Sequence, residues 1–327
     1  MNVPFDPLAD SLVRNEKLAH GAELPVLGRR VVFESNSSAV LEAVDRSFGS
    51  WARLPESFRD STPVRRVRFF VEEGEEPSER PAVRYLLPEP NRLIFFTGTS
   101  VGVAEADRGE AYAFVTTELV AYDTYFRYGV IEALTLNLVT NTGRHPVHAA
   151  TVVRNGRALL LAGPSGVGKS TLAYAASRAG LQVRGDEAAY VQCDPTLRVW
   201  GMAGTVRLST LGASHFPELS EVPPIVSLNG KQKVMVDLDV GEDVLSPVEE
   251  AVVCVLSKGH DTASLERLQP SVVFDFLTSR VESGFDLNPA EGKRVAEQLA
   301  GTGGWRVQLS DNPFDAVPLI EEMLGPA

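Results

Sequence analysis

Apolar positions recur along the chain with two periods, two and about 3.6, and the switches between them delimit the elements. RRVVFES (29–35) alternates as a strand, and SSAVLEAVDRSF (37–48) follows with Val40, Leu41, Val44 and Phe48 at helical spacing. Five β-like runs come next: VRRVRFFVEE (64–73), VRYLLP (83–88), RLIFFTGTS (92–100), VGVAEA (101–106) and AYAFVTTE (111–118). Polar GEEPSERP and Asp107-Arg108-Gly109 separate them, and together they predict an antiparallel sheet. Between Asp123 and Asn141, Phe126, Val130, Ile131, Leu134 and Leu138 recur at three- and four-residue steps, which predicts a helix with a buried stripe.

The second half is patterned differently. VHAATVV (147–153) and RALLLAG (157–163) meet at Arg154-Asn155-Gly156, and Asn-Gly between apolar runs signals a hairpin. STLAYAASRA (170–179) reads as a helix stopped by Gly180. LQVRGDEAAYV (181–191), RVWGMAGTVRLS (198–209), KQKVMVDLD (231–239) and AVVCVLS (251–257) supply further strands. PSVVFDFLTSRV (270–281), PAEGKRVAEQLA (289–300) and PFDAVPLIEEML (313–324) each begin with proline, which suits a first helical turn. The pattern predicts an α/β chain with an N-terminal α+β region over 1–120 and a nucleotide-handling region over 121–327.

Composition narrows the function classes. At 327 residues the chain suits two domains, and 44% hydrophobic with 23% charged residues is a globular balance. No apolar run reaches the length of a membrane span, so a soluble protein with no membrane partner is expected. MNVPFDPLADSLVRNEK has no apolar h-region after a basic patch, which argues against a secretory signal and for a cytoplasmic location. Of the two cysteines, Cys193 and Cys254, the second lies in apolar AVVCVL and reads as a buried free thiol. The net charge of -12 argues against a nucleic-acid partner, because phosphate backbones need basic surfaces. A bound nucleotide must then be held by local groups.

One stretch provides them. Gly163-Pro164-Ser165-Gly166-Val167-Gly168-Lys169-Ser170 matches the G-x-x-x-x-G-K-[ST] phosphate loop at every fixed position, between a strand and a helix. Its glycines let backbone N–H groups converge on phosphate oxygens, and Lys169 adds a point charge. The Ser170 hydroxyl suits Mg²⁺ bridging two phosphates, with the helix dipole favouring anions at the same end. Asp186-Glu187 follows seventeen residues after Lys169 at the end of a β-like run. Paired carboxylates there could hold magnesium and accept a proton from an incoming hydroxyl, or form a solvated acidic turn. Leu228-Asn229-Gly230-Lys231-Gln232 only faintly echoes the signature of ABC-type ATPases, and AVVCVL runs into Ser257-Lys258-Gly259 where that family has Asp-Glu. Guanylate kinases place the loop near their N-terminus, whereas here it starts halfway along.

His148 ahead of a hairpin, the loop Gly163 to Ser170, a helix ending at Gly180 and the acidic pair Asp186-Glu187 together resemble the HPr kinase/phosphorylase family, and its divergent HPr-kinase-related members in particular. The specific motifs span residues 144 to 200. The resemblance implies an HPr kinase-like P-loop core, a mixed sheet whose loop is entered from a β-hairpin. It implies phosphate binding by Gly163 to Thr171, magnesium at Ser170 and Asp186, Asp186 as the base that activates a Ser or Thr hydroxyl, and His148 beside it. By residue logic alone His148 reads first as an ordinary strand histidine, and the resemblance brings a functional role level with that. The second acid is Glu where the family has Asp.

Lys231 and Lys233 in NGKQKVMVDL either reach the γ-phosphate or acceptor or form an exposed basic turn, and Arg207 is a weaker candidate of the same kind. His20, His145, His215 and His260 read as surface residues. The expected activity is an ATP- and Mg²⁺-dependent transfer to a hydroxyl, most simply of a peptide or protein, with possible homo-oligomers by resemblance. A small-molecule kinase and a slow nucleotide-dependent switch are the alternatives.

Overall fold

The alternation read from residues 29–35 becomes a strand whose every second side chain, Val31, Phe33 and Ser35, is buried. In this computed structural model the described residues are 17–60, 63–74, 82–89, 91–202, 204–227, 230–238, 242–259, 261–279, 284–285 and 288–325. The first half holds β1 (His20–Val26), β2 (Arg29–Ser35), α1 (Ser38–Phe48), β3 (Arg65–Glu72), β4 (Arg84–Glu89), β5 (Arg92–Thr97), β6 (Ser100–Glu105) and β7 (Glu110–Thr116). They form a seven-stranded sheet in the order β1-β2-β3-β7-β6-β5-β4.

This sheet is mixed, not purely antiparallel as the strand run suggested, because β3 pairs parallel with both β2 and β7. For β2 and β3 the reason is α1: a strand, a helix and a strand form a crossover, which returns the chain in the same direction. α1 buries Val40, Ala43, Val44 and Phe48, and the Phe48 ring lies 5.9 Å from that of Phe33.

α2 (Thr117–Ala121) leads into a helix built of α3 (Asp123–Phe126), a π-helical turn over Arg127–Glu132 and α4 (Ala133–Thr140). Its predicted stripe of Phe126, Val130, Ile131, Leu134 and Leu138 is buried in the core of the first sheet.

The second half continues with β8 (His145–Val147), β9 (Ala149–Arg154), β10 (Arg157–Ala162), α5 (Lys169–Arg178), β11 (Gln182–Gly185), β12 (Ala189–Gln192), β13 (Arg198–Gly201) and β14 (Thr205–Ser209). It ends with α6 (Thr210–Ala213), β15 (Ile225–Val226), β16 (Gln232–Asp237), β17 (Glu250–Lys258), β18 (Ser264–Leu268), α7 (Pro270–Ser279), α8 (Pro289–Ala300), β19 (Gly304–Leu309) and α9 (Val317–Leu324).

A six-stranded sheet runs β11-β9-β10-β17-β19-β18. β9 and β10 form a hairpin, with Asn155 at φ 53 and Gly156 at φ 73 in its turn. Period two then assigns the layers. Leu159 and Leu161 of β10 join α5 and α9 in one core, while Ala158, Leu160 and Ala162 join α7, α8, β12 and β13 in the other.

The pairing directions locate the site. β17 and β19 run parallel to β10, and β11 is antiparallel to β9, which is itself antiparallel to β10. The C-terminal ends of β10, β11, β17 and β19 therefore share one edge, and β9 begins there. Ligands gather outside such carboxyl ends in open α/β sheets.

The two halves meet at Trp200 of β13. Its ring lies 6.3 Å from that of Trp51 and 4.8 Å under the guanidinium of Arg144. Arg144 is 1% exposed and donates to the Leu27 carbonyl at 2.9 Å and to Asp60 at 2.7 Å. Gly28, at φ 79, gives way to the same ring: a Cβ there would stand 2.7 Å from Trp200 Cη2. Cys193 and Cys254 are both free and buried, and burial pushes the Cys254 thiol up to about 12. No described helix is long and apolar enough to cross a membrane.

Candidate functional site

β10 delivers the chain into the glycine loop under tight constraint. A Cβ on Gly163 would lie 2.8 Å from Val167 Cγ1 and 3.2 Å from the Leu256 carbonyl, so the loop folds back closely on itself and on β17. Gly166 and Gly168 adopt φ of 78° and 121°, which side chains resist. Val167 donates its N–H to the Pro164 carbonyl at 3.2 Å and is itself buried in the core with α5. α5 opens immediately after Gly168 with no acidic residue in its first turn, so its initial N–H groups and dipole offer undiminished positive potential to an anion. Lys169 is 7% exposed, and its ammonium donates to the Gly163 carbonyl at 2.8 Å. The cation thus spans the curl of the loop.

Asp186 arrives from β11, two strands away, through the shared carboxyl edge. LQVRGDEAAYV was one run in the sequence, but it splits here into β11 and β12 of different sheets, with Asp186-Glu187 at the break. The Asp186 carboxylate is 5% exposed, accepts the Arg207 backbone N–H at 2.8 Å and is hydrogen-bonded to the Ser170 hydroxyl. Burial pushes its carboxyl up against the opposing pull of Arg207, and the net direction is upward.

Arg207 is the hub of the charged groups. Its guanidinium lies 3.0 Å from a Glu187 carboxylate oxygen and 4.9 Å from the Tyr128 ring centroid. Burial alone would lower its pKa, but Glu187, Asp186, Glu132 and Tyr128 outweigh that effect and hold it charged. β14 pairs with β16 so that Ser209 faces Lys233 and Arg207 faces Met235, which brings Lys233 to the same face as Arg207.

Glu132, in the π-helical turn, has its carboxyl raised to about 7 by burial, with Arg207 and Arg127 opposing. Ser47 of α1 hydrogen-bonds it and accepts from Arg127 at 3.1 Å, which ties the first half to this cluster.

A cleft of about 1250 Å3 contains these groups. It is lined by Ser165, Gly166, Val167, Gly168, Lys169, Ser170 and Thr171, by Asp186 and Glu187, and by His148, Arg207, Lys231 and Lys233. Gly163 and Pro164 line a neighbouring cavity, whose wall His148 shares. The first half contributes Tyr122, Asp123, Tyr125 and Tyr128, and the ends of β17 and β19 contribute Lys258, Leu309, Ser310 and Asp311. Lys169, Arg207, Lys231, Lys233 and Lys258 make the cleft cation-rich within a chain of net charge -12.

Histidines read as surface residues divide. His215 lines the cleft, but His145 is buried, and burial lowers its pKa to about 4, because β8 is inserted between β12 and α8. His260 lies outside the described residues, as do Leu228 and Asn229.

Pattern reading did not single out Glu132, Tyr128 or the β19 end. A lone acid in the apolar run RYGVIEALTLNLV was the available signal for Glu132, and the alternation in GWRVQL was the signal for β19.

A divalent cation fits the donor set. No group of three or more His, Cys, Asp and Glu side chains that could hold a metal occurs among the described residues. Ser170 and Asp186 in contact do supply one hydroxyl and one carboxylate, the small protein contribution expected when phosphates and water complete a magnesium shell.

No protein-family model matches the chain, and no curated protein matches it. Among solved structures, the Hpr(Ser) kinase/phosphatase from Coxiella burnetii is distantly similar, at 15% identity over 55% of this chain and 92% of that one, with a TM-score of 0.27.

Proposed function

We propose that the chain is a Mg²⁺- and ATP-dependent kinase that transfers the γ-phosphoryl group to a Ser or Thr hydroxyl of a peptide or protein. The observation that carries this reading is the buried Asp186 carboxylate, brought by β11 into contact with the hydroxyl of the residue after the loop lysine. An acid in that place is positioned both to hold magnesium and to accept the proton of an attacking hydroxyl.

The loop divides the cleft. Asp186, Glu187, Arg207 and Tyr128 lie on the β11 and β14 side, and Lys258, Leu309 and Asp311 on the β17 and β19 side. Transfer at Asp186 would place the transferable group on the β11 and β14 side of the loop. Loop N–H groups and Lys169 balance the phosphate charge, and Arg207 with Lys233 meets the charge on the transferred group. Asp186 accepts the proton of the acceptor hydroxyl. The acceptor oxygen forms the new bond to phosphorus as the bond from phosphorus to the bridging oxygen breaks, and ADP leaves with that electron pair. Ser170 and Asp186 would hold magnesium, which would supply further charge neutralisation on the phosphates. His148 orients groups on the Asp186 side. Residues 1–120 help to recognise the acceptor, and residues 121–327 carry out transfer.

The test is to incubate the protein with Mg²⁺, γ-labelled ATP and size-fractionated lysate from its host, with Lys169→Ala as control. Label entering peptide or protein fractions supports the reading. Label in small metabolites moves the acceptor to a small hydroxyl compound. Label appearing only as inorganic phosphate would sink the kinase and leave a nucleotide-dependent switch.

A further inference from the structure

A second cavity, of about 640 Å3, lies on the sheet face opposite α5 and meets the glycine loop at Gly163 and Pro164. Its volume falls within the range of small-molecule sites and exceeds what one aromatic side chain fills. Phe274 and Phe276 of α7 and Phe285 line it, and the Phe285 ring meets His148 edge-on at 5.0 Å between centroids. His145 adds no charge at neutral pH, because burial lowers its pKa to about 4. α7 carries Val272, Val273, Phe274, Phe276 and Leu277, yet Val273 alone of these is fully buried. The helix therefore keeps apolar surface turned toward a cavity that the described residues do not fill.

The cavity adjoins the catalytic cleft across one side chain. His148 lines both, and the loop passes from one to the other between Pro164 and Ser165. These loop residues precede Lys169, so the cavity adjoins the start of the loop. We propose that this cavity receives an aromatic or large aliphatic side chain of the acceptor, adjacent to the residue whose hydroxyl is presented past His148 to Asp186. The assignment rests on the kinase reading and narrows the acceptor to a segment in which the hydroxyl residue has an apolar neighbour.

Two arms test it. In ligand-observed NMR, N-acetyl-phenylalaninamide should show saturation transfer from the wild type well above that of N-acetyl-alaninamide. Ala296→Trp, which projects into the cavity from α8 and obstructs it, and Phe276→Ser, at a half-buried position that tolerates change, should each reduce the aromatic signal at least about fivefold while circular dichroism stays native. Lys169→Ala should leave it intact. An aromatic signal no stronger than the alanine one, or insensitive to both cavity variants, overturns the proposal whether or not the chain is a kinase.

In the second arm, labelled ATP is offered with acetyl-Phe-Ser-Phe-amide or acetyl-Ala-Ser-Ala-amide. The aromatic peptide should have kcat/KM higher by about 10-fold or more, the discrimination one apolar pocket provides, and Ala296→Trp should erase the difference. Equal rates for the two peptides overturn the proposal. Labelling of neither peptide, with aromatic binding retained, counts against the kinase reading alone.

Discussion

On the proposed kinase reading, Asp186 serves as a charged acceptor in a place that disfavours charge. Its burial raises the carboxyl pKa, and the Arg207 N–H at 2.8 Å and the Ser170 hydroxyl keep the ionised form accessible. Asp186→Asn keeps the shape and removes the proton acceptor. ATP affinity, read with a fluorescent ATP analogue, should change only a few-fold, while transfer should fall by about 10²–10⁴, the range for losing a general base.

Glu132 allows a separate test. Its folded carboxyl titrates near 7 where the ordinary value is 4.5, so the folded state favours the neutral form. The stability this confers is complete below about pH 4.5 and is lost as pH rises through about 7. Glu132→Gln fixes the neutral form and should stabilise the protein at pH 8 by at most about 3 kcal/mol relative to pH 5. Thermal melts of both proteins at the two pH values check the sign. A larger gain at pH 5 would refute the assignment.

At the scale of elements, much was legible. α1, α5, α8 and the β9–β10 hairpin follow their periodicity and their turn residues closely, because each depends on local rules. The hairpin turn is the local determinant that leads the chain into the loop. Asn155 at φ 53 tolerates a left-handed conformation that alanine resists, so Asn155→Ala should cost about 1 kcal/mol in chemical denaturation, and Gly156→Ala at φ 73 a comparable amount. Parallel pairing of β3 with β2 and β7 was not legible, since a strand's sequence carries its faces but not its neighbours. The π-helical turn was equally hidden. It carries Tyr128 into the lining of the cleft within a helix whose apolar stripe predicts burial alone. In the site, the loop and the acidic pair were recognisable as contiguous motifs. Tyr128, Lys258 and Asp311 come from separate elements, and only the fold gathers them.

Over the whole molecule, the two halves are joined by buried polar and aromatic contacts. Arg144 spans the join, bonded to Leu27 and Asp60 and stacked on Trp200. Arg144→Ala removes these contacts and leaves the Leu27 carbonyl short of a partner, so it should cost about 2–4 kcal/mol in denaturant unfolding. A loss below about 0.5 kcal/mol would mean the join is not held there. Which half the helix of residues 123–140 packs against could not be read from its period, which says that a face is buried but not what covers it.

Trp51 and Trp200 belong to different halves, yet their rings lie 6.3 Å apart, and the chain's third tryptophan, Trp305, lies in β19. That spacing makes the pair an optical gauge of the join. Two indoles this close couple their strong far-ultraviolet transitions and give a dichroic couplet that neither gives alone. If catalysis requires one half to shift against the other, the couplet will report it in real time, without a label and without knowledge of the acceptor.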